Sequence, residues 1–233
     1  MRRWKVFAFD FDGTLVDSYS CLPSLYEYIA EKLGLKGKIK KKFVERAIKY
    51  EDKQDYLGNY DRKTWWPELF AEYGIKIDEQ SIDELLGVFW KKRAEESIVI
   101  EGTGEVLEFL RMKGFVTVIV AGNDGQRSVK RMRIERSGLA GYFDDILIVG
   151  EDVEDRAKAI KFIIEKYNVK PEEIVVIDDK PPVINEIREK VKGITTVRVK
   201  FQGILKLAWK AHCNPDFEID SIGDLIKLID LQL

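Results

Sequence analysis

Two short acidic stretches in this chain have the residue types and spacing for chemistry. In "FDFDGTLVDS", Phe9 to Ser18, Asp10 and Asp12 stand two residues apart where an apolar run gives way to glycine. In "VIDDK", Val176 to Lys180, a second apolar run closes with Asp178 and Asp179. If the chain leaves a strand at Asp10, side chains two apart can converge on one site; Gly13 permits the tight exit and Thr14 can tie down the turn. A hard cation such as Mg²⁺ prefers oxygen ligands, which Asp178 and Asp179 offer. Such a cation offsets the repulsion that otherwise keeps a carboxylate from a phosphate ester. Asp10 would then attack phosphorus and form an aspartyl-phosphate. Asp12 would protonate the leaving alkoxide and afterwards deprotonate the hydrolytic water. The bland alternative is that Asp and Gly after strands are ordinary turn residues; the D-x-D-G-T spacing is what weighs against it.

These residues need a scaffold that brings them together. Short apolar, β-branched runs occur at Trp4 to Phe9, Val116 to Ala121, Ile146 to Gly150, Ile174 to Asp178 and Thr195 to Val199. They are too short for helices and apolar on both faces, as buried parallel strands are. Helical stripes lie between them, such as Val106/Leu107/Leu110, Ala159/Ile160/Ile163/Ile164/Tyr167 and Ile184/Ile187/Val191. Alternation of this kind predicts an α/β fold with a doubly wound parallel sheet. Ligands then sit beyond the carboxyl ends of the strands, which puts both acidic pairs on one rim. From about Leu22 to Ala94 the texture changes to four helical stripes with no comparable strand, including Leu22/Leu25/Tyr26/Ile29/Leu33 and Trp65/Trp66/Leu69/Phe70/Tyr73. The expected organisation is an α/β core of residues 1–18 and 95–233 with a smaller all-helical domain of residues 19–94, joined by short hinges near Val16 to Ser20 and Glu95 to Ile100.

"DFDGTLVDS" resembles the first motif, DxDGTL, of the haloacid dehalogenase-like superfamily of phosphatases. The resemblance covers most of the chain: a first strand ending in two aspartates, a helical cap inserted after it, and an acidic motif ending a later strand. It implies a Rossmann-like core and a Mg²⁺ held by Asp10, the backbone carbonyl of Asp12 and the Asp178/Asp179 pair. It further implies a cap that closes over the site, excludes water and touches the leaving group. Two motifs depart from the family pattern. Its second motif ends a strand in Thr or Ser, whereas "VIVAGNDG" offers Ala121, Gly122 or Asn123, none with a hydroxyl. Backbone amides in a glycine-bearing turn can still cradle an anion, and the Asn123 amide can donate; the plain alternative is a strand-to-helix turn. Thr14, Gly122 and Asn123 are therefore the candidate substrate-binding residues. The third motif is a lysine that neutralises the transferring phosphoryl group. In "EDRAKAIKFII", spacing favours Arg156 and residue type favours Lys158; either can also be a solvated helix-face cation.

The remaining residues bound the problem. The basic stretch Lys36 to Lys49 can steer anions, although such runs are more often solvated helix faces. Trp65 and Trp66 are expected to fill a helical core, or to divide between core and cleft. His212 sits apart from every motif and is not expected to be the acid or base. Thirty-nine Lys and Arg against 41 Asp and Glu give a charge of −2, no general reason to expect a nucleic-acid partner. Cys21 and Cys213 are too few for a disulfide framework or thiolate metal site. With neither a signal-peptide pattern nor an apolar run long enough for a membrane span, a cytoplasmic protein is expected. The 34% of charged residues and scarce Asn and Gln tilt the composition toward hyperthermophiles. Asp12 argues against a haloalkanoate dehalogenase, which needs no acid at that position. The expected function is Mg²⁺-dependent hydrolysis of small phosphorylated molecules; the alternatives are a phosphomutase of the same superfamily and a catalytically weakened phosphate-binding module.

Overall fold

The computed structural model describes residues 4–201 and 203–232. Its centre is a parallel sheet of six strands in the order β5 (Asp145–Val149), β4 (Val116–Gly122), β1 (Val6–Phe9), β6 (Ile174–Asp178), β7 (Thr195–Val199) and β8 (Phe217–Ile219). Val6 pairs with Val116 on one side and Ile174 on the other, so β1 is the central rung. The side chains alternate as the pleat requires. Phe7, Phe9, Ile119, Val175, Ile177 and Val197 enter one buried layer, with α5 (Thr103–Met112) and α9 (Asp224–Asp230). Val6, Ala8, Val118, Val120, Ile174 and Val176 enter the opposite layer, with α7 (Arg156–Tyr167) and α8 (Pro181–Lys190). Burial on both faces is why these strands read as continuous apolar runs. The chain winds from β1 out to β4 and β5, then returns to β6 on the far side, so the carboxyl end of β1 is the switch point.

All five anticipated strands form, as does the doubly wound sheet. Two short strands and two helices were not anticipated beyond them: β2 (Val16–Asp17), β3 (Ile98–Val99), α6 (Val129–Arg136) and α9. The tail strand β8 is also additional. The segments expected as plain hinges are zipped together, with β2 and β3 pairing antiparallel (Val16 with Val99, Asp17 with Ile98) and the Ile100 amide donating to the Leu15 carbonyl at 2.9 Å.

Between those paired strands lie α1 (Leu22–Lys32), α2 (Gly37–Tyr56), α3 (Trp66–Ala71) and α4 (Glu79–Glu96). Their stripes close on one another in a cluster that includes Leu22, Tyr26, Ile29, Phe43, Trp66 and Phe89 and takes in Leu205 from the segment after β7. Trp65 and Trp66 are both buried there, as the core reading expected. The outer face of α2 carries the basic stretch, partly neutralised by Glu31 against Lys40 and Glu72 against Arg46. Both cysteines are free thiols, and no helix among the described residues is long and apolar enough to cross a membrane.

Gly13 makes the exit from β1 possible. Its φ is +86°, its amide donates to the Val16 carbonyl at 2.8 Å, and a Cβ there would lie 2.8 Å from Cγ of Asp179. Gly13→Ala is therefore expected to cost about 1–3 kcal/mol. Thermal unfolding would read this as a Tm drop of roughly 2–4 °C per kcal/mol; an unchanged Tm would mean that the turn relaxes freely.

Candidate active site

Asp10 follows β1 directly, Asp178 ends the adjacent β6 and Asp179 follows it. Their carboxylate oxygens lie within 4.8 Å of one another and all three residues are buried. Burial raises the Asp10 carboxyl to about 7, with the Asp178 charge adding to the effect. Burial raises Asp178 as well, and burial together with Asp178 and Asp10 raises Asp179 far above the ordinary range. Like charges crowded out of water at this spacing need a cation or protons. A set of hard carboxylate oxygens fits a divalent cation of the Mg²⁺ type.

Asp12 has different surroundings. Its carboxylate accepts hydrogen bonds from Ser18 Oγ, Lys130 Nζ and both terminal nitrogens of Arg133, with Arg133 Nη1 at 3.2 Å. Burial pushes its carboxyl up, but Arg133 and Lys130 outweigh burial and hold it well below the usual range. Asp12 is thus kept as an anion, which suits taking a proton from water. The expected acid role requires these cations to withdraw. Asp124 shares the clamp, at 2.9 Å from Arg133 and 3.1 Å from Lys130.

The two third-motif candidates separate. Arg156 Nη2 lies 3.9 Å from Asp10 Oδ1, whereas the Lys158 side chain is exposed and lines a different surface depression. In the second motif, Ala121 is buried in the sheet core and Gly122 lines the site. Asn123 borders it too, but its amide is taken up by the scaffold: Nδ2 donates to the Val149 carbonyl at 3.0 Å and Oδ1 accepts from the Gly125 amide at 2.8 Å. Thr14 corrects the substrate-binding expectation. It is fully buried, outside the residues lining the cavity, and its hydroxyl donates to Asp179 Oδ1 at 3.4 Å. It fixes a carboxylate, in keeping with its expected part in tying down the turn.

The helices α1 to α4 and the loops beside them roof the strand ends. Tyr19, Glu51, Asp55, Tyr60, Arg62 and Arg93 face the sheet rim across a narrow, partly open cavity of about 30 Å³. That holds a water or two, so a phosphate ester enters only when roof and rim separate. Lys180 ties them together: its Nζ meets Asp55 Oδ1 at 2.9 Å and its amide donates to Asp178 Oδ1 at 2.8 Å. A second tie comes from the segment after β7. Asp52 of α2 accepts the amides of Lys206 and Leu207 at 2.7 and 2.9 Å, and the Trp209 indole donates to Asp179 Oδ2 at 2.6 Å. Sequence reasoning missed Lys130, Arg133, Asp124, Lys180 and Trp209. The available signals were thin: the three-residue spacing of Lys130 and Arg133, and the adjacency of Lys180 to the acidic pair. The basic residues Lys36 to Lys49 do not line the cavity, and His212 lies outside it, as expected.

With this geometry in place, comparison with known proteins defines the class. Residues 4–184 match the family described as haloacid dehalogenase-like hydrolase. The chain belongs to that family of enzymes, with the parallel α/β core its members share. Among its relatives is the phosphoglycolate phosphatase of Vibrio parahaemolyticus serotype O3:K6, 27% identical over 235 residues that cover 97% of this chain and 96% of that protein. Another is the glyceraldehyde 3-phosphate phosphatase of Pyrococcus furiosus, 26% identical over 250 residues covering 99% and 95%. A crystal structure of a predicted β-phosphoglucomutase from Thermotoga maritima superposes with a TM-score of 0.73 at 20% identity, covering 98% of this chain and 100% of that one.

Trp209→Phe removes a donor from a carboxylate of the cation-type cluster, so Mg²⁺ affinity measured by calorimetry is expected to fall about 10- to 100-fold. In the wild type, binding should be tighter at pH 8 than at pH 6, because a carboxyl raised to about 7 must lose its proton to take a cation. Equal affinity in wild type and variant would show that Trp209 only packs.

Proposed function

We propose that this protein is a Mg²⁺-dependent phosphatase of small phosphate monoesters that works through an aspartyl-phosphate on Asp10. The observation that carries the reading is the setting of Asp10. One side faces the carboxylates of Asp178 and Asp179, the other faces Arg156, and the whole lies in a narrow cavity at the switch point of the sheet. The names of the phosphatase relatives support the same reaction class.

Asp10, Asp178 and Asp179 would hold the cation, with the Asp12 carbonyl as the fourth protein ligand that the family resemblance implies. When bound, it offsets the negative charge shared by the carboxylates and the ester. In the first half of the reaction an Asp10 oxygen bonds to phosphorus and the ester P–O bond breaks, its electron pair going to the leaving oxygen, which takes a proton from Asp12, a step for which Lys130 and Arg133 must withdraw. Arg156 draws charge from the phosphoryl oxygens. In the second half water attacks phosphorus, Asp12 takes its proton, and the bond from phosphorus to Asp10 breaks to restore the free carboxylate. Ser18, Lys130 and Arg133 orient Asp12 for that step. The helices of residues 22–96 act as the cap, and the Lys180–Asp55 pair ties cap to core in the closed form.

Phosphate release from an aryl phosphate should require Mg²⁺, stop on chelation, and fall by roughly 10³-fold or more in Asp10→Asn. Turnover that survives Asp10→Asn would refute the aspartyl-phosphate, and isomerised sugar phosphate without free phosphate would make the protein a mutase. Gly122 yields a second test. A Cβ there would meet Arg156 Nη2 at 3.8 Å and Tyr60 Cε2 at 3.9 Å, ordinary contact distances. Gly122→Ser can thus restore a hydroxyl near the phosphoryl position without a clash. It is expected to lower KM about tenfold, the scale of one hydrogen bond to a charged group; an unchanged or higher KM would place the phosphoryl group elsewhere.

A further inference from the structure

Around the cavity as a whole, carboxylates and cations are equal in number. Of the lining residues, Asp10, Asp12, Glu51, Asp55 and Asp124 supply five carboxylates, and five cations oppose them. Arg62 and Arg93 both lie against Glu51, the latter at 3.6 Å, and Lys180 is held by Asp55 at 2.9 Å. A leaving group bearing its own carboxylate would meet Asp55 at close quarters, where the one cation, Lys180, is already engaged. Burying such a charge without a partner is costly.

Asp55 adds an observation that points to a ligand. Its side chain is 8% exposed, Oδ1 is bonded to Lys180, and Oδ2 is buried with no hydrogen-bond donor from the described residues. An ionised carboxylate oxygen can only accept. The partner it lacks is therefore an N–H or O–H, and an alcohol is what phosphate-ester cleavage releases. Tyr19 and Tyr60 line the same space and lie against Lys180, with its ammonium 5.7 and 5.5 Å from their ring centres.

We infer that Asp55 is a specificity residue whose free carboxylate oxygen accepts a hydroxyl of the leaving group, so that the preferred substrates are monophosphates of neutral polyhydroxy compounds rather than of hydroxy acids. The inference rests on the phosphatase reading. It divides this chain from relatives named for phosphoglycolate, whose leaving group carries a carboxylate. A site built to bond a substrate hydroxyl discriminates steeply against analogues that lack it, because its own polar group is then left unpaired.

The test is kcat/KM of the full-length protein with Mg²⁺ on glycerol 3-phosphate, ethyl phosphate and phosphoglycolate, in the wild type and in Asp55→Asn. The wild type is expected to favour glycerol 3-phosphate over phosphoglycolate by about 100-fold or more, with ethyl phosphate between them. Asp55→Asn frees Lys180 and removes the charged acceptor. The glycerol-to-glycolate ratio should then fall at least tenfold, chiefly through KM. A wild type that prefers phosphoglycolate overturns the inference, and so does an unchanged ratio in a variant that circular dichroism shows to be folded. The wild-type panel decides alone if the variant does not fold. Should the wild type release phosphate from none of the three, nor from an aryl phosphate, the phosphatase reading itself fails and this inference falls with it.

Discussion

Three carboxylates held within 4.8 Å of one another and out of water repel each other, and the fold must press them together all the same. Asp10 arrives on the central strand and Asp178 and Asp179 on its neighbour, and the parallel register of β1 and β6 fixes their approach. Gly13 lets the backbone turn away beneath Asp179, while Thr14 and Trp209 each hold one of its oxygens. The apolar layers on both faces of the sheet supply the stabilisation that this crowding consumes.

The same economy of charge runs through the rest of the site. Asp12, two residues from Asp10, is drawn in the opposite direction by Arg133 and Lys130. One carboxyl is biased toward taking a cation or proton and the other toward standing as a base, so neighbours on one short turn acquire separate roles. Glu51 likewise anchors Arg62 and Arg93 under the roof, and Tyr26 donates to the same carboxylate. Buried networks of this kind define a single docking geometry better than apolar contact does, because each broken pair strands a charge.

Much of the scaffold was legible in the sequence because strands buried on both faces advertise themselves, as "IVVID" does at β6. The acidic rim followed from the ends of those strands. The elements that escaped lack such a signature. Helix α6 reads "VKRMRIER", and its mostly charged sequence looks like a solvated segment until Lys130 and Arg133 are seen pointing inward at Asp12. Strands β2 and β3 are two residues each, too short for any period to show. Trp209 lies 30 residues from Asp179 in a stretch with little regular structure, so only the folded chain brings the indole to the carboxylate. Whether Arg156 or Lys158 approaches Asp10 depends on which side of α7 meets the rim, and that follows from the helix's position in three dimensions.

The ribbon of β2 and β3 has a consequence for how such a protein can change over generations. Val16 and Val99 sit opposite one another, so 82 intervening residues begin and end at adjacent points on the scaffold. Their sequence can lengthen, shorten or be replaced without altering the spacing of that socket or the strands below it. Loop-closure cost grows slowly with length, so chain entropy sets little penalty on such remodelling. The sheet rim and the helical roof can therefore diversify at different speeds, one bound to the register of the sheet and the other answerable to a two-residue clasp.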